Sequence, residues 1–132
     1  LGRAGLSHND GWAGVPVGAC HGIGYILGAA RGVPHGITSC LSLPAVMEWN
    51  ASVNAARQQL VGGFGHAASA GAGLRGFIGA LGLPTRLLAV DIGSEAELEE
   101  LASRYDGTGP IATNPRPVRD RVDLLEILRL AA

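Results

Sequence analysis

The residues best placed to do chemistry lie between Cys20 and Asn50, where two histidines, His21 and His35, flank the segment Gly32-Val33-Pro34. In one straight helix their imidazoles would sit roughly 21 Å apart along the axis at about 1.5 Å per residue, too far to share a ligand. Pro34 lacks an amide hydrogen and pushes Val33 toward an extended conformation, so the chain is expected to turn there. A turn can bring both rings to one point. Pro34-His35 is also a good helix opening, which makes the spacing compatible with a two-histidine metal corner. Two imidazoles are one or two ligands short of a catalytic zinc or iron site. The competing reading is a pair of packing histidines at helix ends.

Other chemistry-bearing residues weigh less. His8 and Asp10 fit no ligand spacing and read as a solvated loop, and His66 reads as a surface residue in a linker. Glu95, Glu97, Glu99 and Glu100 resemble paired catalytic carboxylates, but a solvated acidic face at the positive end of a helix accounts for them better. Gly22, Gly24 and Gly28 have the wrong spacing for a dinucleotide fingerprint, and no strand precedes them. All ten basic residues are arginine, so no lysine nucleophile or Schiff base is available.

Helices must position the histidine pair. Residues 19–31 form the first, with Ile23, Ile26 and Leu27 on one stripe and three glycines that demand close packing, since each costs about 1 kcal/mol against alanine. His35 to Trp49 forms a second, kinked or divided at Pro44, and Ala51 to Val61 a third that stops at Gly62-Gly63-Phe64-Gly65. Leu74, Phe77, Ile78 and Leu81 mark a core face on a fourth helix, capped by Ser69 and ended by Gly82 and Pro84. Ser94 and Glu97 form a capping-box pattern for a fifth, running to about Asp106-Gly107. Asp120 caps a last helix bearing Val122, Leu124, Leu125, Ile127 and Leu128. Thr85 to Ile92 is the one candidate strand, and otherwise a connector. The opening, Leu1 to Gly18, reads as loop or frayed helix, and the glycine- and alanine-rich stretch 62–73 as a mobile connection. The fold class is all-α.

With 132 residues and 47% hydrophobic content, the chain is expected to form one compact unit. A net charge of −1, from scattered arginines and carboxylates, gives no footprint for nucleic acid or an anionic membrane. Cys20 and Cys40 lack a Cys-x-x-Cys spacing and read as reduced, buried thiols. With no signal peptide and no apolar run of about 20 residues, the expected location is cytoplasmic. Leu1 is no initiator methionine, so the chain is read as processed or as a piece of something longer.

Taken together, His21-Gly-Ile-Gly-Tyr25-Ile-Leu-Gly28, Val33-Pro34-His35-Gly36 and Leu43-Pro44-Ala-Val46-Met-Glu-Trp-Asn50 resemble the iron-containing alcohol dehydrogenases, a family that includes the maleylacetate reductases. Gly82-Leu83-Pro84-Thr85-Arg86-Leu87 and Asn114-Pro115-Arg116-Pro117 extend the likeness over essentially the whole chain. The resemblance implies the C-terminal part of the helical metal-binding domain of a dehydroquinate-synthase-like two-domain dehydrogenase. The nucleotide-binding half would then lie before Leu1, on the same chain or a partner chain, and the assembly is expected to be a homo-oligomer.

By resemblance, His21 and His35 are the two late ligands of Fe2+ or Zn2+, the remaining ligands coming from upstream helices. Tyr25 falls where many members place another histidine near the nicotinamide of NAD or NADP and the substrate, and so takes a catalytic position. Thr113 and Asn114 fall where the last loop approaches the substrate, although a purely structural turn fits them equally. The implied reaction is hydride transfer between nicotinamide and a carbonyl or alcohol carbon. The alternative is a non-catalytic helical module that docks on a separately encoded nucleotide-binding part.

Overall fold

The first helix, α1 (Ala19–Arg31), buries Ala19, Ile23 and Leu27 along one stripe, one residue per turn. In the computed structural model, which describes residues 17–61 and 68–132, its glycines are points of close approach. A Cβ on Gly22 would lie 2.3 Å from Ile111 Cγ1, and one on Gly24 would lie 2.8 Å from Thr38 Oγ1. The missing side chains let two neighbours press onto α1, and burying each large aliphatic side chain there contributes about 1.5–3 kcal/mol. Gly32 ends the helix in the left-handed conformation (φ 65°), its amide returning to Gly28 O at 3.0 Å.

After the turn, α2 (His35–Val61) starts against Pro34, whose carbonyl accepts from Ile37 and Thr38. The expected division into two helices is present, but as a kink at Asn54 rather than a break near Asn50. Helix continues past buried Pro44, and the departure from helical geometry comes at Asn54 (φ −143°, ψ 22°). Gln58 spans that kink, donating to both Met47 O and Asn54 Oδ1 at 2.8 Å. The packing of α2 against three other helices outweighs the local cost of Pro44.

Ser69 caps α3 (Ala70–Ala80) by accepting from Ala72 N, and Gly82 (φ 75°) follows its end. Gly71 brings α3 against α2, since a Cβ there would sit 2.7 Å from both Pro44 O and Glu48 Cγ. The expected core stripe on this helix is only partly a core. Ile78 is buried, whereas Phe77 is 54% and Leu81 60% exposed, because it is the Gly71 side of α3 that meets α2.

The candidate strand at Thr85–Ile92 is instead a short 3-10 turn, η1 (Leu87–Val90), with Leu87 and Ile92 fully buried. The Ser94–Glu97 capping box opens α4 (Glu95–Ser103) as expected. The helix stops sooner than expected, and Tyr105 folds into the interior to donate to Val118 O at 2.8 Å. A second 3-10 turn, η2 (Gly109–Thr113), packs on α1, and Asp120 caps α5 (Arg121–Ala131) through the amides of Val122 and Asp123. On α5, Leu124, Ile127 and Leu128 are core residues, while Val122 faces solvent.

Helix α2 is the hub, flanked by α1, α3 and α5, and α4 lies between α5 and α1. Among the described residues there is no strand, and no helix is long and apolar enough to cross a membrane. The opening loop with His8 and Asp10, the Gly62-Gly63-Phe64-Gly65 stop, His66 and the first half of the expected 62–73 connection lie outside the described residues, and residues 70–73 of it are the first turn of α3.

Candidate metal centre

His21 occupies the first turn of α1 and His35 the first position of α2, and the Gly32-Val33-Pro34 turn folds one onto the other. Their ring centroids are 5.0 Å apart with planes at 73°. Val33 is buried beneath the turn, and Thr38 Oγ1 donates to His35 O at 2.7 Å, holding the first turn of α2. The His35 ring lies over Gly24, with Cε1 3.9 Å from where a Cβ would stand. A Cβ there would be in ordinary contact with the imidazole, and it is Thr38 Oγ1, 2.8 Å away, that requires the glycine.

This spacing suits a shared ion. A metal about 2.0–2.1 Å from an imidazole nitrogen lies about 3.2 Å from that ring's centroid, so centroids at this separation subtend about 100° at the ion, near the tetrahedral value. His21 is half-buried, with Nε2 beneath the surface, while His35 is exposed. Among the described residues no third histidine, cysteine or carboxylate joins them. The centroid separation is compatible with two imidazole donors to one ion, and the described residues add no further donor.

Tyr25 completes the cluster. One helical turn after His21, its ring meets His21 edge-on at 5.0 Å and lies nearly parallel to His35 at 6.4 Å. It is 49% exposed, so the phenol stands at the mouth of the site. Tyr25 also lines a cleft of about 170 Å³ between α1 and the segment that joins α4 to η2. Cys20 and Cys40 are free thiols, and burial raises the Cys20 pKa despite its contact with Ser42 Oγ at 3.3 Å.

Thr113 and Asn114 lie on the last loop. Thr113 is exposed and its hydroxyl faces Val17 O (2.8 Å) and Pro110 O (3.0 Å). Asn114 is buried, and its amide is engaged within the chain. Oδ1 accepts from Ala19 N at 3.2 Å, and Nδ2 donates to Asn50 Oδ1 at 2.6 Å and Arg116 O at 2.8 Å. Gly18 offers no side chain to cap α1, so the cap comes from a residue 95 positions later. Nearby, the Arg116 guanidinium covers the Trp49 ring at 3.5 Å, and each residue also bonds the other's carbonyl. The one local mark of Asn50 is its place at the end of the Leu43-Pro44-Ala-Val46-Met-Glu-Trp-Asn50 segment, and that pattern does not disclose its partner.

The geometry agrees with what the chain is similar to. The model of the Fe-containing alcohol dehydrogenase family, C-terminal, matches residues 11–132. Dehydrogenase FUM7 of Gibberella moniliformis (strain M3125 / FGSC 7600) is 34% identical over 138 aligned positions. The match covers 88% of this chain and 32% of that protein, so the chain spans about a third of the length of the curated relative it matches. No solved structure matches the chain significantly. With the all-helical fold and the paired histidines, the family match places this chain in the Fe-containing alcohol dehydrogenase family, within its C-terminal region.

Proposed function

We propose that the chain is the metal-holding helical part of an NAD(P)-dependent oxidoreductase that moves hydride between nicotinamide and a carbonyl or alcohol carbon, as alcohol dehydrogenases and maleylacetate reductases do. The observation that carries this reading is the approach of the His21 and His35 rings, their centroids 5.0 Å apart, from two helices. His21 and His35, as neutral imidazoles, would hold Fe2+ or Zn2+, with the remaining ligands supplied from outside residues 1–132. Bound there, such an ion supplies Lewis-acid polarisation of a carbonyl or stabilisation of an alkoxide.

The chain's own residues do the rest of the work proposed for it. Gly24 leaves room for Thr38, and Thr38 and Val33 fix the turn that carries the His35 ring. Tyr25, against both imidazoles and half-exposed, is placed to hold or pass the proton that accompanies hydride transfer. Thr113, exposed, is kept as a substrate-facing residue, and Asn114 acts by fixing that loop against the start of α1. NAD or NADP would bind mainly to a nucleotide-binding part on the same or a partner chain, in a cytoplasmic homo-oligomer.

The test is a deuterium-transfer assay on the metal-loaded protein assembled with that nucleotide-binding part. Reduced nicotinamide labelled at C4 should pass its label directly to the substrate carbon, and Tyr25→Phe should lower kcat by about a hundredfold. Metal and nucleotide binding without turnover of any aldehyde, ketone or enol acid would instead support the non-catalytic helical module.

A further inference from the structure

We propose that the cleft beside Tyr25 receives the far end of the substrate, and that Arg104 and Asp106 select there for an uncharged hydroxyl group over a carboxylate. This rests on the oxidoreductase reading and names the substrate class for the same site.

The cleft is lined on one side by Gly22, Tyr25 and Ile26, and on the other by the segment from Arg104 to Ile111. Tyr25 thus belongs both to the wall of the cleft and to the ring cluster with His21 and His35, so the unreacting part of a molecule held at that cluster would lie in the cleft. Gly22 shapes it by letting η2 close against α1.

Its polar equipment is balanced. Arg104 gives Nε and Nη2 to Glu100 Oε1, each at 2.8 Å, which orients the guanidinium and leaves Nη1 and the second Nη2 hydrogen for another partner. Asp106 Oδ1 accepts from the Thr108 amide at 3.0 Å and hydroxyl at 2.6 Å, which leaves Oδ2 as an acceptor. Those Thr108 bonds hold the Asp106 carboxyl below the usual carboxylate range, so it is charged at neutral pH. The cleft thus shows one cation and one anion, and Glu100 partly neutralises the cation while also pairing with Arg31 at 3.2 Å. An incoming carboxylate would meet no net positive field and would face Asp106. A hydroxyl both donates and accepts, so it satisfies Asp106 and Arg104 together. A terminal methyl satisfies neither.

The experiment uses the metal-loaded holoenzyme and three aldehydes of equal chain length that end in methyl, hydroxymethyl or carboxylate. The hydroxylated aldehyde should have the lowest KM, about tenfold below the methyl one, with kcat little changed, as expected for a hydrogen bond made equally in ground and transition states. Arg104→Gln should bring the ratio of the methyl to the hydroxylated KM from about ten to about one. Asp106→Asn should lower KM for the carboxylate. Because both side chains are exposed, folding is not at stake, and circular dichroism checks it. A wild-type preference for the carboxylate that Arg104→Gln abolishes would overturn the assignment, and so would equal KM for all three. Failure of all three to turn over while metal and nucleotide bind would overturn the oxidoreductase reading and the subsite with it, which separates the two failures.

Discussion

Asn50 on α2 and Asn114 on the last loop face each other in the interior, Asn114 Nδ2 donating to Asn50 Oδ1 at 2.6 Å and Asn50 Nδ2 to Asn114 Oδ1 at 3.4 Å. Because Asn114 Oδ1 also takes the Ala19 amide, this pair joins α2, the last loop and the start of α1, two residues before His21. Asn114→Ala would leave the buried Asn50 Nδ2 and a buried helix-start N–H unsatisfied, while Asn50 Oδ1 keeps the Arg116 amide, at a cost of about 2–4 kcal/mol. Urea unfolding checks this, and a loss within experimental error of zero would show that the pair does not hold the segments together.

Gly22→Ala should destabilise the fold by about 1–3 kcal/mol, because the new methyl would stand 2.3 Å from Ile111 Cγ1 and 3.0 Å from Ile111 N. On helix propensity alone the change would stabilise by about 1 kcal/mol. The sign of the shift in thermal midpoint therefore decides whether packing or propensity governs α1.

Glu97 holds the Ser94 end of α4, and the Ser94 amide and hydroxyl with the Gly93 amide lower its pKa to about 2. A carboxylate whose folded pKa lies below its unfolded value adds stability above the unfolded pKa, and that stability is lost as pH falls through the folded one. The contribution should be complete above about pH 4.5 and should fade toward pH 2. Comparing wild type with Glu97→Gln by chemical denaturation from pH 6 downward, the gap between them should narrow with acid. A constant gap would assign the effect to shape rather than charge.

Elements whose signals are local were legible in the sequence. The Gly32 stop of α1, the Ser69 and Asp120 caps and the Ser94–Glu97 box each lie within a few residues of what they cap, and each stands where the spacing puts it. Elements decided by distant contacts were not. The passage of helix through Pro44 and the placing of the kink at Asn54 depend on neighbours on three sides, and the exposure of Phe77 and Leu81 on which face of α3 carries Gly71. The approach of His21 and His35 followed from turn chemistry at Gly32-Val33-Pro34. The Asn50–Asn114 pair, 64 residues apart, had no local signature. The place of Tyr25 at the site came from family resemblance, and its contact with both rings from the structure.

Residues 1–132 alone should not bind NAD or NADP at micromolar concentration. Among the described residues there is no strand, glycine loop and helix unit to cradle a pyrophosphate. Calorimetry of this chain with either nucleotide is the check, and a micromolar isotherm would refute the division of labour proposed for it.

The central claim is that His21 and His35 hold a metal ion. Its most direct test is metal content, by elemental analysis, of the protein assembled with the part that supplies the remaining ligands, comparing wild type with His21→Ala and His35→Ala. The account predicts close to one Fe2+ or Zn2+ per chain in wild type and near none in either variant. The apoprotein unfolding free energy should change by less than about 1 kcal/mol, since neither side chain is a core residue. Full metal occupancy in the His21→Ala, His35→Ala double variant would contradict the account and make these two packing histidines.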